Sequence, residues 1–333
     1  MRAVGDEPPE KYGRDTVAEV PRSRSLWLVL PAAVVLYLLL AAYADLGEVF
    51  QAVAALPPWT VAAALAMALT NYGLRWLRWR NFMHSFGHAL HWRTDLTTYL
   101  AGFAFTATPG KAGEAARALY LKPHGVPYSR AVGACVAERL LDLATVLAIA
   151  GLALFLYADY DWVVLTAAAF LMVGFAFLGR RGGLAALLTW AQMRAGPRLS
   201  AVLARGGNTA AAIPSLLHGK LLASGLMLGL VGWLAEGTGF WLLGTAAGFS
   251  LSWAQSVAIY ALGLLAGALS FLPGGLVGTE IVMVGLLAAA GPEGSAVAVV
   301  LAARACTLWF SIALGFGALA ALPRAGTQPS GRT

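Results

Sequence analysis

The sequence predicts an all-α polytopic membrane protein built from two inverted repeats. Only 12% of its 333 residues are charged and 59% are hydrophobic, whereas soluble domains carry about 25% charged residues. Residues 26–44 and 237–279 contain no charged side chain, and about 20 apolar residues are enough for a helix to span a membrane. A ten-residue motif that begins with Phe, ends with Glu and contains Pro-Gly recurs at an offset of 166 positions, which indicates that the two halves of the chain share one plan.

The repeated motif reads FTATPGKAGE at 105–114 and FLPGGLVGTE at 271–280. A helix cannot continue smoothly through Pro-Gly, because proline lacks an N–H and glycine has little helical preference. The apolar run before the first motif, 96–108, is about 20 Å long as a helix, too short for a membrane core of about 30 Å. Each repeat is therefore predicted to hold three transmembrane helices and one re-entrant hairpin that the motif breaks. The predicted break residues are Pro109, Gly110, Gly113, Pro273, Gly274, Gly275 and Gly278.

The chain is predicted to form a single transmembrane domain at 25–322 between two cytoplasmic tails. The tail at 1–24 is polar and predicted to be disordered, and the second tail is 323–333. The transmembrane domain divides into a first half, 25–157, and a second half, 162–322. Arginines among Leu and Trp predict that 180–220 lies in the membrane interface. The predicted crossings are 26–44, 61–76, 131–157, 162–179, 221–243 and 296–322.

The distribution of basic residues predicts the orientation. If both hairpins return to the side on which they start, 20 of the 23 Lys and Arg residues lie on the side of the termini. The other three, Lys111, Arg139 and Arg304, lie within the membrane. This is the positive-inside pattern, so both termini are predicted to be cytoplasmic in the plasma or inner membrane, with anionic lipids at that face. The net charge of +7 therefore does not indicate a nucleic-acid partner. The acidic residues predicted to lie opposite are Asp45, Glu48, Asp159, Asp161 and Glu293.

Charged residues beside the breaks and inside the crossings are the candidate site, because charges at membrane depth are costly and mark function. Cations there suit a phosphate group, and glycines at a helix start expose backbone N–H groups to it. Structural ion pairs are the alternative interpretation. The residues predicted to contact a lipid phosphate are Arg75, Lys111, Arg117, Arg139 and Arg304. Those predicted to position these cations or to couple proton movement are Glu114, Glu138, Asp142 and Glu280.

Other polar features of the chain are predicted to be structural. Arg78 and Arg80, beside Trp76 and Trp79, are expected to anchor the cytoplasmic end of a crossing. No catalytic residue, cofactor or metal is predicted. The spacing of the three histidines suits a metal ion, but their linker has no nearby acidic residue. The two cysteines lie in apolar segments and are predicted to be free thiols. These residues are His84, His88, His91, Cys135 and Cys306.

Five short motifs together resemble the lysylphosphatidylglycerol synthase transmembrane-region family, also called the flippase-like domain family. They are RWLRW at 75–79, PGKAGEAAR at 109–117, ERLLD at 138–142, PGGLVGTE at 273–280 and RACTLW at 304–309. The resemblance implies an integral membrane fold that moves lipids or lipid-linked sugars between leaflets. Only 11 residues follow Leu322, so the aminoacyl-transferase domain of full synthases is not expected here. Lys111 and Thr279 stand where members of that family often have Arg.

The sequence and the resemblance together predict transbilayer movement of a lipid with an anionic, phosphate-containing headgroup, such as a phospholipid or a polyprenyl-phosphate-linked lipid. The protein is predicted not to be an enzyme, although an intramembrane lipid-modifying enzyme is a third hypothesis. The main alternative is a non-transporting accessory protein for a glycosyltransferase or a lipid-synthesis enzyme. A hydrated groove would favour transport, and a cavity sealed by ion pairs would favour the accessory role. Homo-oligomerisation is left open.

Overall fold

The computed structural model describes residues 46–108, 114–154, 169, 172–173, 183–194 and 197–322. The predicted tails, the first crossing at 26–44 and most of the crossing at 162–179 lie outside these ranges. So do residues 109–113 of the first motif, which include Pro109, Gly110, Lys111 and Gly113. Every regular element in the described ranges is helical, which confirms the all-α fold class.

The first half begins with α1 (Leu46–Ala54) and α2 (Pro58–Ser85), which meet at a bend of 82°. Next comes α3 (Trp92–Ala101), continued by a 3-10 turn at Gly102–Phe105, and then α4 (Arg117–Leu121) and α5 (Tyr128–Leu154). The second half contains α6 (Gly183–Arg194), α7 (Pro197–Leu216), α8 (Gly219–Ala246), α9 (Trp253–Leu269) and α10 (Gly278–Ala288). It ends with α11 (Glu293–Arg304), a π-helical turn at Ala305–Trp309, and α12 (Phe310–Ala321).

Two described helices are long and apolar enough to cross a membrane: α8, and the continuous helix from α11 to α12. The bent pair of α1 and α2 makes a third if it forms one span. These helices confirm the predicted segments 221–243 and 296–322 as membrane-spanning candidates. The full count of crossings and the inverted orientation of the halves stay predictions.

Helices of the two halves pack against each other rather than forming separate bundles. The main partner of α2 is α8, and α1 lies against α11. Small residues allow this close approach, since a Cβ on Gly239 would lie 3.2 Å from Cα of Ala64. The helices that precede the two motifs pack reciprocally: α3 packs on α12 of the second half, and α9 packs on α5 of the first half.

The second predicted break falls between α9 and α10. Pro273–Gly275 forms a 3-10 turn in which Gly274 and Gly275 have φ values of 65° and 68°, a left-handed conformation that glycine adopts without strain. A Cβ on Gly274 would lie 3.7 Å from Cα of Ala107, two residues before the first Pro-Gly. The second break therefore contacts the segment that leads into the first one.

The segment predicted to lie in the interface, 180–220, contains α6 and α7. The C-terminal end of α7 is part of the protein core, because Ile213 and Leu216 are buried together with residues of α2, α3 and α5. Gly133 allows α7 to pack closely against α5, because a Cβ on Gly133 would lie only 3.1 Å from the carbonyl oxygen of Thr209. The outer helix, α6, exposes Trp190, whose ring is covered by Arg194 at 4.2 Å.

Candidate functional site

Three arginines and two carboxylates form one buried group, called here the first charge cluster: Arg75, Arg78, Glu114, Arg139 and Asp142. Asp142 is the centre, with its Oδ1 2.6 Å from Nη2 of Arg78 and its Oδ2 3.4 Å from Nη2 of Arg75. Nη2 of Arg139 lies 3.2 Å from both Oδ2 of Asp142 and Oε2 of Glu114. The spacing explains the assembly, since Arg75 and Arg78 share a face of α2, as do Arg139 and Asp142 on α5.

Arg75 is the cation of this cluster whose donors are least satisfied. Its Nε and Nη2 are buried and make no hydrogen bond, and Nη2 is held by ion pairs alone, 3.4 Å from Oδ2 of Asp142 and 3.9 Å from Oε2 of Glu114. Arg78 also has two buried donors without a hydrogen bond, Nε and Nη1, but its Nη2 donates to Asp142. The guanidinium carbon lies 5.7 Å from the ring centres of both Phe103 and Trp233, which hold the group between aromatic faces. Among the five described residues of the cluster, cations outnumber anions by one. A buried excess of cations is costly unless an anion reaches it.

Arg117 and Glu138 form a separate buried ion pair. The Arg117 guanidinium stacks on the rings of Trp79 and Tyr99, with its carbon 3.9 Å and 4.9 Å from the ring centres. Its Nε also lies 3.1 Å from Sγ of Cys135. Both charged side chains are almost completely enclosed, at 1% and 0% exposure. The structure therefore places this predicted phosphate contact within a packed core rather than on a cavity wall.

The second half has a simpler arrangement, the Glu280–Arg304 pair. Nε of Arg304 donates to Oε1 of Glu280 at 2.7 Å, and Nη2 donates to the carbonyl oxygen of Gly274 at 2.8 Å. Both side chains are buried. The cation on α11 thus ties the start of α10 to the break. In both halves, then, the glutamate that ends the motif meets an arginine of the following long helix: Glu114 with Arg139, and Glu280 with Arg304.

A small cavity of about 40 Å³ lies between the two halves. The first half contributes Arg75 and Glu114, and the second half contributes Glu236 and Arg304. Hydroxyl groups of Tyr72, Thr106, Tyr260, Thr307 and Ser311 complete the polar lining, with Phe103, Trp233, Leu264 and Leu308 as the apolar part. Tyr72 also donates to the carbonyl oxygen of Thr307 across this boundary. Polar and apolar groups of these kinds are typical of a ligand site.

The predicted site residues are therefore distributed over three places. Arg75, Glu114 and Arg304 line the cavity, Arg139 and Asp142 stand behind it in the first charge cluster, and the remaining described ones are internal, whereas Lys111 lies outside the described residues. Those internal residues are Arg117, Glu138 and Glu280. Glu236 and Tyr260 also line the cavity but were not among the predicted site residues; the Tyr260 hydroxyl donates to Oε2 of Glu236 at 2.6 Å. The available signal was an acidic residue within a predicted crossing.

The prediction that Arg78 anchors the interface is wrong. Its side chain is 1% exposed and bound to Asp142, because α8 presents Gly225 and Gly229 to it. A Cβ on Gly229 would lie 3.0 Å from Nη1 of Arg78, so these glycines make room for the guanidinium. Arg80 remains partly exposed, 5.7 Å from the Trp76 ring centre.

The tryptophans Trp76 and Trp79 and the histidine His88, which were also predicted to be structural, make specific contacts. The indole N–H groups of Trp76 and Trp79 each donate to buried Asp95 at 3.1 Å, so both tryptophans also hold α3 against α2. Nε2 of His88 lies 3.3 Å from Nη1 of Arg130, and burial together with this cation lowers the pKa of His88.

Comparison with known proteins assigns the chain to a family. Residues 27–315 match the family described as Lysylphosphatidylglycerol synthase TM region. The chain belongs to this family. Glycosyltransferase AglD of Haloferax volcanii is 28% identical over 123 residues, which are 35% of this chain and 19% of that protein. The chain thus spans a minor part of AglD. Membership of the lysylphosphatidylglycerol synthase TM-region family and this partial similarity fit a membrane protein connected with lipids.

Proposed function

We propose that the protein moves a lipid with an anionic, phosphate-containing headgroup between leaflets, and that the headgroup passes through the cavity between the halves. A phospholipid and a polyprenyl-phosphate-linked lipid share this headgroup chemistry. The observation that carries the proposal is Arg75, a cavity-lining guanidinium whose buried Nε has no hydrogen-bond partner and whose Nη2 is held only by ion pairs of 3.4 Å to Asp142 and 3.9 Å to Glu114. A phosphate offers paired oxygens that match the planar fork of an arginine.

The surroundings of Arg75 support phosphate binding over a purely structural role. Among the described residues of the first charge cluster, cations outnumber anions by one. Phe103 and Trp233 restrict the guanidinium, so little conformational freedom is lost when an anion binds. Hydroxyl groups around the cavity are suited to the glycerol or sugar oxygens next to the phosphate.

The remaining predicted cations have different roles in this proposal. Arg304 contributes positive potential from the second half, while its hydrogen bonds to Glu280 and Gly274 hold the break in place. Arg139 is the most exposed arginine of the first charge cluster, at 24%, and is suited to receive the headgroup on its way to Arg75. Lys111 is proposed to act with it because of its place in the motif. Arg117 is proposed to stabilise the fold.

The test is a reconstituted translocation assay with fluorescent phosphatidylglycerol in liposomes. The intact protein should expose the label to a membrane-impermeant quencher faster than protein-free liposomes do, and Arg75→Gln should remove this difference. Arg93→Gln is the matched control, because Arg93 is exposed and stacked only on Trp92 in the structure. Equal rates for the intact protein and Arg75→Gln would exclude the proposed role of Arg75, and no translocation of any anionic lipid would exclude transport.

An accessory role for a glycosyltransferase or a lipid-synthesis enzyme is the second candidate. The enclosed Arg117–Glu138 and Glu280–Arg304 pairs favour it, because such pairs suit a static scaffold. A partial similarity to a protein named a glycosyltransferase points the same way. This candidate predicts that the purified protein moves no lipid alone. An enzymatic role predicts instead that incubated lipids change mass, which mass spectrometry of the liposome extract would detect.

The proposed orientation has its own test. Both termini and α6 are proposed to be cytoplasmic, and Glu293 is proposed to lie on the opposite side. Because Arg194 and Glu293 are both exposed, single cysteines at these two positions are accessible to a membrane-impermeant reagent. After replacement of Cys135 and Cys306, labelling of intact cells should reach position 293 and not position 194. The opposite pattern would invert the topology.

A further inference from the structure

We infer that the cavity selects a headgroup in which a short polyol, such as a glycerol unit, is attached to the phosphate. This inference rests on the proposed function, since it names the headgroup that the same site takes. It depends on a property that the hydroxyl groups of the cavity wall share, because each of them donates its proton to an acceptor inside the protein. These side chains are Tyr72, Thr106, Tyr260, Thr307 and Ser311.

Two of these hydroxyl groups lie on the continuous helix from α11 to α12. Arg304, Thr307 and Ser311 are separated by three and four positions, so they share the helix face that lines the cavity. The Thr307 hydroxyl donates to the carbonyl oxygen of Ala303 at 2.8 Å, and the Ser311 hydroxyl donates to that of Leu308 at 2.7 Å. Both hydroxyl oxygens therefore keep lone pairs that can accept a hydrogen bond from a ligand.

The other hydroxyl groups of the wall are committed in the same way. Tyr72 donates to a backbone carbonyl of the second half. Thr106 donates to Oε1 of Glu114 at 3.1 Å, and Tyr260 donates to Oε2 of Glu236 at 2.6 Å. A hydroxyl group has a single proton, so these oxygens offer lone pairs to the cavity. A ligand that donates gains a hydrogen bond there without breaking an internal one, whereas a ligand that accepts must displace an internal partner.

Arg75 adds a donor to this wall of acceptors. Its buried Nε makes no hydrogen bond, and its Nη2 is held by ion pairs alone. A phosphate that carries a polyol matches both kinds of group, since the phosphate accepts from the guanidinium and the polyol donates to the hydroxyl oxygens. The apolar part of the lining suits the carbon atoms of the polyol.

An amine in place of the polyol fits this cavity less well. A buried ammonium group needs a carboxylate partner, and the two carboxylates of the lining already accept from protein donors. Glu114 accepts from Arg139 at 3.2 Å, and Glu236 accepts from Tyr260. The volume of about 40 Å³ further limits the polyol, because it has room for about three water-sized groups. A glycerol unit suits this volume better than an oligosaccharide does.

Two lipids that differ only in their hydroxyl groups test the selection. Phosphatidylglycerol and phosphatidylpropanol have the same negative charge and the same length of headgroup, but phosphatidylpropanol has no hydroxyl group on its propyl chain. Each lipid is given the same fluorescent acyl chain and is reconstituted with the intact protein in liposomes. Phosphatidylglycerol should move about tenfold faster, because the hydrogen bonds to the cavity wall are lost with phosphatidylpropanol. Equal rates would overturn the inference.

Ser311→Ala tests the cavity wall itself. It removes one acceptor and should reduce the ratio of the two rates about threefold. The ratio does not respond to partial unfolding, which lowers both rates alike. Ser224→Ala is the matched control, because the Ser224 hydroxyl also donates to a carbonyl three positions earlier but is not part of the cavity lining. An unchanged ratio in Ser311→Ala, or an equal reduction in Ser224→Ala, would show that the wall does not select the headgroup.

A binding measurement separates this inference from the proposed function. Glycerol phosphate and propyl phosphate are added at equal concentration to the protein in detergent, and glycerol phosphate should raise the unfolding temperature more. Arg75→Gln should remove both increases, and Ser311→Ala should reduce the difference between them. If this difference is found while neither lipid moves, the site selects a polyol phosphate and lipid transport fails. Equal increases, no increase, or increases that persist in Arg75→Gln would overturn the inference.

Discussion

The two halves of the molecule use one motif in different ways. In the first half, Glu114 belongs to a cluster in which three arginines share two carboxylates, and Arg75 keeps unsatisfied donors. In the second half, Glu280 and Arg304 form a pair of one anion and one cation, supplemented by the carbonyl of Gly274. The same charged motif therefore has a different electrostatic environment in each half. The described cluster of the first half holds more cations than anions, and the second half holds a balanced pair beside the carboxyl group of Glu236.

The largest expected effect comes from breaking the balanced pair. Arg304→Gln leaves Glu280 buried without its cation, and we expect the free energy of unfolding to fall by about 3–5 kcal/mol. Thermal unfolding in detergent would measure this loss. The double variant Glu280→Gln/Arg304→Gln should recover much of it, since no charge is then stranded. If Arg304→Gln has the same thermal stability as the intact protein yet stops lipid movement, the pair is a binding site. The proposed difference between the halves would then be wrong.

A smaller loss is expected when the backbone beside that pair is displaced. Gly267 of α9 contacts the break directly: a Cβ there would overlap Oγ1 of Thr279 and lie 3.0 Å from the carbonyl oxygen of Gly275. Gly267→Ala should therefore destabilise the protein by about 1–3 kcal/mol. Gly73→Ala is the matched control, because a Cβ on Gly73 meets nothing within 4 Å. It should stabilise α2 by up to about 1 kcal/mol. Equal melting temperatures for the two variants would contradict this packing.

The first charge cluster should respond to substitution in the opposite sense, with more effect on function than on stability. In Arg75→Gln, Asp142 still contacts Arg78 and Arg139, so the expected loss of stability is about 1–2 kcal/mol. Loss of one charge-assisted hydrogen bond should slow lipid movement about tenfold to hundredfold. Arg75→Lys should recover only part of the rate, because it keeps the charge without the fork. If the rate of lipid movement in Arg75→Gln falls only in proportion to the fraction of unfolded protein, Arg75 has a structural role.

The smallest effect on stability is expected at Arg139. Its side chain is 24% exposed, and solvent screens its attraction to Glu114 and Asp142. Arg139→Gln should lower the free energy of unfolding by less than about 1 kcal/mol, and high salt should reduce the difference from the intact protein. Lipid movement should fall less than in Arg75→Gln. A loss as large as that of Arg304→Gln would show that the two motif arginines are energetically equivalent.

Much of the architecture followed from the sequence alone. The all-α class, the crossings at 221–243 and 296–322, and the second Pro-Gly break between two short helices were predicted from local signals. Apolar run length and the backbone chemistry of proline and glycine act within a few residues, so they can be read along the chain. The charged residues that matter were also recognisable, because a charge in an apolar run is costly wherever the chain folds.

Only the tertiary structure determines which charged and polar side chains are partners. Arg78 pairs with Asp142 across 64 positions, and Tyr72 bonds to the carbonyl of Thr307 across 235. Such partners depend on how helices cross, and the crossing depends on small residues such as Gly229, which admits the Arg78 guanidinium. For the same reason Arg117 lies in a packed core and Glu236 on the cavity wall, although both are charges in helices. A sequence shows where charge is costly, but the face that each helix presents to its neighbours determines whether that charge is paired internally or open to a ligand.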